Sequence, residues 1–594
     1  AATASYSKKG EAIVKMNHDA IDAGAKAIVE VPVPAEWADA ETESLFVEAK
    51  GDNKPLVDYI NNVQNYVNGQ EGNALKVSDL VPYVDGHMPL GASAFEKRGV
   101  AVDVPSWNPD NCIQCNFCAY VCPHATIRPV AMTEEEAAAA PAATKTADMT
   151  GMPGYKFAMT VTVLDCLGCG SCVNICPGKK GEKALTMQGL DSQRDQQEVY
   201  DYGQKLPAKE EVLAKFKADS VKGSQFRQPM LEFSGACAGC GETPYAKLIT
   251  QLFGERMYIA NATGCSSIWG GSAPATPYTT NAKGQGPAWA NSLFEDNAEF
   301  GLGMFTGQNT LREQTKEKVV ALAESTDNAD VKAAAAEYLD TYADGSKNGA
   351  ATDKLVAALE ACGCDAAKEI LAKKEFLSKK SQWIFGGDGW AYDIGFGGVD
   401  HVLASGEDVN VFVFDTEVYS NTGGQASKST NLGAIAQFQA AGKGTKKKDL
   451  AAIAMSYGYV YVAQIAMGAD YNQTVKAIAE AEAYPGPSLV IGYAPCINHG
   501  IKGGMKIAQT EEKKAVTSGY WNLFRFNPAL AAEGKNPFHL DSKAPTTEYE
   551  DFIMGEVRYN ALSRQNPERA KELFAEAKAN AEAKYNRLKE MSDK

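Results

Sequence analysis

Cys112, Cys115, Cys118 and Cys122 follow one another in a C-x2-C-x2-C-x3-C run closed by Pro123, and Cys166, Cys169, Cys172 and Cys176 repeat that spacing before Pro177. Such a run of four thiolates is the ligand set of a cubane 4Fe-4S cluster, in which each iron takes one thiolate. In paired runs the fourth cysteine reaches across to the other cluster. Cys112, Cys115, Cys118 and Cys176 are therefore assigned to one cluster, and Cys166, Cys169, Cys172 and Cys122 to the other. Zinc, the competing metal, favours two separated C-x2-C or histidine pairs. Two copies of one spacing also argue against ordinary buried thiols. The chemistry predicted here is electron transfer between two neighbouring clusters.

Six of the fourteen cysteines remain. Cys237 and Cys240 lie in Gly235-Ala-Cys-Ala-Gly-Cys-Gly241, whose glycines allow a backbone to approach a cluster closely, so this pair is a nucleus for a third one. Cys265 and Cys496 each sit in a loop after a strand-like run and are the candidates to complete it. Cys362 and Cys364 fall among Ala and Glu in a helical stretch and read as plain thiols.

A second chemistry is written in Trp383-Ile-Phe-Gly-Gly-Asp-Gly-Trp390, a strand running into a glycine turn with one acid. A helix to about Ala404 and a strand from Val409 to Phe414 make this a βαβ unit, followed by Asp415-Thr-Glu-Val-Tyr-Ser-Asn-Thr-Gly-Gly-Gln425. Asp388 and the Thr416 loop then lie at carboxyl ends of neighbouring strands, where α/β sheets bind ligands. Together they offer the hard oxygens that Mg²⁺ uses when it holds a phosphate. The glycines do not make the G-x-G-x-x-G spacing of a dinucleotide site.

The elements that position these residues form a multidomain α/β chain of 594 residues. Residues 1–50 read as the tail of a preceding α/β domain, with a helix over 10–30, and 51–95 as a linker or small domain with little core. Residues 96–210 are predicted to be a bacterial-type two-cluster ferredoxin-like domain, with Thr133 to Thr150 as a surface insertion. Residues 211–594 form a doubly wound α/β domain, interrupted by a helical stretch from Leu311 to Lys380 and closed by charged helices. A net charge of -16 excludes non-specific binding of nucleic acid, and no apolar run is long enough for a membrane helix. Thiol ligands without a signal peptide point to a reducing cytoplasm. The opening at Ala1, running straight into a helical pattern, suggests a fragment or one part of a split enzyme.

With these residues in view, the chain resembles pyruvate:ferredoxin oxidoreductase, of the wider 2-oxoacid:ferredoxin oxidoreductase group. The two ferredoxin runs, Gly239-Cys-Gly-Glu-Thr-Pro-Tyr245, Gly387-Asp-Gly-Trp390 and Thr416 to Gln425 carry the resemblance. It implies oxidative decarboxylation of pyruvate with CoA to acetyl-CoA and CO₂, electrons passing through three 4Fe-4S clusters to ferredoxin or flavodoxin. It implies that Cys237, Cys240, Cys265 and Cys496 hold the cluster nearest the thiamine diphosphate. It places that cofactor against Gly387, Asp388, Gly389, Trp390, Thr416, Glu417, Val418, Tyr419, Ser420 and Asn421, with Glu242 and Cys265 lining the thiamine pocket. Mg²⁺ would be held by Asp388, Thr416 and the Val418 carbonyl, and Asn421 would act near the substrate. Asp408 and Asn410 resemble part of a calcium site in some members, against the plainer reading of a turn before a strand. The resemblance also implies an N-terminal region, absent here, that carries pyruvate-binding residues, most of the CoA site and the glutamate activating the aminopyrimidine ring, and a homodimer of the complete enzyme. Another 2-oxo acid as substrate, or a non-catalytic electron-transfer subunit, are the alternatives.

Overall fold

A computed structural model describes residues 1–39, 48–271 and 274–594; positions 40–47 of the predicted 1–50 tail lie outside the described residues. The predicted first helix is Glu11–Lys26, and it buries none of its side chains. The 51–95 region carries more core than its weak periodicity suggests. Asn53 caps the helix Lys54–Tyr59 through the Leu56 amide, with Pro55 in the first turn, and the chain continues as the π-turn Ile60–Gln64. Leu56, Tyr59, Ile60 and Val63 meet Ala49 and Ala92 in a small apolar cluster. The Tyr59 hydroxyl donates to the Pro274 carbonyl at 2.5 Å, pinning the segment to the large domain.

The two cysteine runs share one apolar core. Strand β1 (Asp103–Trp107) pairs antiparallel with β5 (Leu185–Gly189), and β2 (Ile127–Thr133) with β4 (Tyr155–Val161), whose outer edge takes the short β3 (Ala147–Asp148). Cys118 and Cys172 ride on the matching short helices Phe117–Val121 and Ser171–Ile175. The stretch from Thr133 to Thr150 lies at the surface, with only Met149 buried, but it is tied to the first cysteine run. It opens with a capping box between Thr133 and Glu136, then returns through β3. There Gln114, inside the first cysteine run, donates to the Asp148 carbonyl at 2.7 Å and accepts from the Thr150 amide at 2.8 Å.

The C-terminal domain is built on an eight-stranded sheet in the order β13-β12-β10-β11-β9-β8-β6-β7. Its members are β6 (Met257–Ala262), β7 (Ala288–Ser292), β8 (Ser381–Gly387), β9 (Asn410–Asp415), β10 (Tyr461–Ile465), β11 (Ser488–Tyr493), β12 (Phe524–Phe526) and β13 (Phe538–Leu540). Pairing from β7 to β10 is parallel, and β12 and β13 add an antiparallel edge. Ile384, Phe385 and Val411 to Phe414 are fully buried, as central strands covered on both faces must be. Apolar clusters on the two faces of the sheet hold them. The helical stretch is confirmed as Asn297–Ser325, Ala329–Asp340, Asn348–Cys362 and Asp365–Leu371, and Val319, Tyr338, Leu355 and Ile370 give it an apolar cluster of its own. The last helix, Pro567–Ser592, packs Leu573 and Phe574 onto the sheet's core.

Candidate cluster and diphosphate site

Parallel pairing puts the carboxyl ends of four neighbouring strands on one edge. In the order β11, β9, β8, β6 those ends lead into Cys496, Thr416, Asp388 and Cys265. Cys237 and Cys240 reach the same place from the other side: the Gly241 amide donates to the Pro495 carbonyl at 3.2 Å. A Cβ on Gly241 would lie 2.6 Å from the Pro495 nitrogen, so only glycine permits this approach. Burial raises the Cys240, Cys265 and Cys496 thiols, Cys496 to about 12, and the Glu242 carboxyl among them adds to each rise. Thiols so destabilised as anions are poor free nucleophiles, and iron would hold them as thiolates. Glu242 accepts from the Trp269 indole at 2.6 Å, and its burial pushes its carboxyl up to about 7.

The metal candidates converge. The Thr416 hydroxyl oxygen stands 2.9 Å from an Asp388 carboxylate oxygen and 2.9 Å from the Val418 carbonyl. One hydroxyl proton can satisfy only one of these acceptors. Octahedral Mg²⁺ with oxygens at about 2.05 Å spaces adjacent ligands about 2.9 Å apart, so the donor set fits that ion. The second Asp388 oxygen accepts from Ser427 at 2.5 Å, a partner with no recognisable sequence signal. Burial, then the Asp415 carboxylate, pushes the Asp388 carboxyl well above its usual range, an arrangement that a divalent cation reverses.

A buried charge network holds the loop from beneath. Lys447 bridges Asp415 at 2.9 Å and Glu417 at 2.8 Å, and Glu417 also pairs with Arg558 at 2.8 Å and with the Tyr520 hydroxyl. The Glu417 carboxylate thus supports the loop from beneath. Trp390 is likewise fully buried, in the core, and the exposed Asn421 sits at the tip of the hairpin that Tyr419 closes with Gln425. The Tyr419 ring packs over Gly389, where any Cβ would collide with it. The Cys496 loop grips the Thr416 loop twice. His499 donates from Nε2 to the Thr416 carbonyl at 2.7 Å, and Asn498 donates to the Ser420 carbonyl at 3.3 Å. Cys265 Sγ lies 3.1 Å from Ser420 Oγ.

The two cysteine runs are brought together in the packing, the fourth cysteine of each beside the other run. Cys112, Cys115, Cys118 and Cys176 line one small pocket, with Trp107 and Met159. Burial raises the Cys115 and Cys118 thiols, and Cys112 and Cys176 add to it; Cys122 acts in the same way on Cys166, Cys169 and Cys172. Cys122→Ala is therefore expected to damage the cluster nucleated by Cys166, Cys169 and Cys172, with the Cys112 cluster spared. Electron paramagnetic resonance showing the opposite loss would refute the crossing.

Lys247, buried on the helix Thr243–Phe253, donates to the Ala119 and Tyr120 carbonyls between Cys118 and Cys122. Burial lowers its ammonium to about 8, and the Cys122 and Cys118 sulfurs oppose that shift. In Lys247→Met two carbonyls lose their partner, at a cost of about 1–3 kcal/mol. A cation that favours the reduced, more negative clusters is lost as well. Lower thermal stability and more negative midpoints in a potentiometric titration are expected; unchanged midpoints would show that the ammonium does not act on the clusters.

Three family models match the chain: a domain of unknown function, EKR, over residues 48–101, a 4Fe-4S dicluster domain over 111–180, and the thiamine pyrophosphate enzyme C-terminal TPP-binding domain over 357–491. Pyruvate-flavodoxin oxidoreductase of Klebsiella pneumoniae is 52% identical over 590 residues, which is 99% of this chain and 50% of that protein. Over nearly all of its length the chain is similar to about half of a pyruvate-flavodoxin or pyruvate:ferredoxin oxidoreductase. Pyruvate:ferredoxin oxidoreductase of Moorella thermoacetica is also 52% identical, over 99% of this chain and 50% of its own length, and a pyruvate dehydrogenase [NADP(+)] of Euglena gracilis is 45% identical with 32% of its length covered. The chain thus spans about half the length, or less, of these curated relatives.

Not every residue picked from this family resemblance reaches the site. Asp408 pairs with Lys379 at 2.9 Å, while Asn410 donates to the Gln382 carbonyl and accepts from Ser488. Both stand at the amino end of β9, opposite the Thr416 loop, so the turn before a strand is the reading the contacts favour over calcium. Cys362 and Cys364 lie apart from all three cysteine sets, against the apolar cluster of the helical insertion. No described helix is long and apolar enough to cross a membrane.

Proposed function

We propose that this chain is the cluster- and thiamine-bearing portion of an enzyme that decarboxylates pyruvate oxidatively with CoA, giving acetyl-CoA and CO₂, and passes electrons through three 4Fe-4S clusters to ferredoxin or flavodoxin. The relatives' names support the substrate and the acceptor. The observation that carries the reading is the shared sheet edge, where Cys265 and Cys496 flank Asp388 and Thr416. In this reading residues 96–210 carry two clusters and 211–594 the third cluster and the thiamine site.

Asp388, the Thr416 hydroxyl and the Val418 carbonyl would hold Mg²⁺ against a diphosphate. When bound, thiamine diphosphate would supply the carbon chemistry, and 4Fe-4S clusters on the cysteine loops would supply a one-electron path. The chain's own residues hold the phosphate end, keep the cysteine loops in register with it, and keep water from the Cys240 side through the buried Glu242 and Trp269. A non-catalytic electron carrier accounts for the cysteine runs and leaves the Asp388, Thr416 and Val418 oxygens without a purpose. A different 2-oxo acid is the second enzymatic reading, since a diphosphate cradle and clusters would serve any 2-oxo acid alike.

Anaerobic reconstitution with iron, sulfide, Mg²⁺ and thiamine diphosphate tests the proposal. Three clusters by spectroscopy and Mg²⁺-dependent retention of thiamine diphosphate are expected. Full iron with no affinity for thiamine diphosphate, even with the N-terminal region supplied, would favour the electron carrier.

A further inference from the structure

Cys362 and Cys364 serve neither the cluster loops nor the diphosphate loop, yet they are not placed as isolated thiols. The helix Asn348–Cys362 ends where Gly363 takes φ +59 in the left-handed region, and Cys364 stands immediately before the helix Asp365–Leu371. This reversal brings the two Sγ atoms to 3.0 Å. Residues two apart can separate by at most about 7 Å even when extended, and a turn shortens that, so their Cα atoms stay within the range a disulfide spans. Both side chains are partly exposed, and they edge an apolar cluster distinct from those of the sheet and of the ferredoxin-like domain.

We propose that Cys362 and Cys364 form a redox-active dithiol site whose partners are low-molecular-weight disulfides. The hydrogen bond from Cys362, helped by the Ala367 backbone amide, holds the Cys364 thiol below its usual range, so Cys364 is the attacking sulfur. Its thiolate attacks one sulfur of R-S-S-R; that bond breaks, one RS⁻ leaves, and a mixed disulfide forms at Cys364. The Cys362 thiolate then attacks the Cys364 sulfur, a Cys362-Cys364 bond forms, and the second RS⁻ leaves. The two cysteine protons end on two RSH, and the two electrons lost by the pair reduce the external disulfide. No cluster iron takes part, so the exchange runs beside the proposed electron path and does not depend on it.

The test uses the cluster-loaded protein, held anaerobically with excess glutathione disulfide, quenched with an alkylating agent and mapped by peptide mass spectrometry. The peptide holding both cysteines is expected to lose two hydrogens, take up no alkyl group, and regain two alkylatable thiols after dithiothreitol, with cluster absorption unchanged throughout. Cys362→Ser is expected to stop at a glutathione mixed disulfide on Cys364, and Cys364→Ser to react with neither sulfur at a comparable rate. Two freely alkylatable thiols at equilibrium, a persistent glutathione adduct on the unaltered pair, or a disulfide joining two chains would each overturn the proposal.

Discussion

An Asp388→Ala protein is expected to keep its full iron content and lose thiamine diphosphate. The carboxylate supplies the charged member of the oxygen trio and also anchors the trio itself, through Thr416 and Ser427. Removing a residue that merely orients a metal ligand typically costs 10- to 100-fold in affinity, so removing a charged ligand is expected to weaken thiamine diphosphate binding by more than about 100-fold. None of the cysteine sulfurs hydrogen-bonds to Asp388 among the described residues, which is why iron should stay. Calorimetric titration with Mg²⁺ and thiamine diphosphate, beside an iron assay, reads both. Asp388→Asn separates the roles, because it keeps the shape and hydrogen-bonding capacity but not the charge. Unchanged thiamine binding in the alanine protein would remove Asp388 from the site.

This polypeptide alone is expected to show no pyruvate-dependent reduction of an artificial dye, and to gain it when the N-terminal region is added. The family resemblance assigns the glutamate that activates the aminopyrimidine ring to that region, and the chain covers 50% of the length of the Klebsiella pneumoniae and Moorella thermoacetica relatives. Glu242 is the acid nearest to a substitute, but it is buried against the Trp269 indole and raises the cysteine thiols of the third set. It lies among the cysteines proposed to hold the third cluster. Loss of general acid-base help costs about 10²- to 10⁴-fold, and loss of substrate positioning compounds it, so turnover should fall below detection. Robust dye reduction by the purified chain, free of any partner, would show that the division of labour is drawn in the wrong place.

What was legible in the sequence was local. A cysteine run fixes its ligands within one short loop, and Asp388 and Thr416 are one βαβ crossover apart, so spacing alone pairs them. What escaped depends on contacts between distant segments. Ser427, Lys447, His499 and Arg558 carry no pattern around them, because a buried charge is satisfied by whichever segment the sheet brings beneath the loop. Glu417 and Trp390 sit inside telling motifs, yet spacing could not foretell that the first joins a buried charge network and the second the apolar core. The stretch after Thr133 looked idle since Ala and Glu dominate it, yet two backbone groups near its end, those of Asp148 and Thr150, tie down Gln114.

Under the proposed assignment, the grip of Asn498 and His499 on the Thr416 loop makes the diphosphate cradle depend on the iron held beside it by Cys496. Neighbouring strands lie about 4.8 Å apart, so the sheet works as a ruler, with some 14 Å of backbone between the strands that end in Cys265 and Cys496. Damage to the iron at that edge should travel through two hydrogen bonds into the phosphate cradle. An oxidised, iron-stripped sample would then register as a vitamin deficiency of the protein as well as a loss of colour. Recovery of the cradle would have to wait for the iron to return.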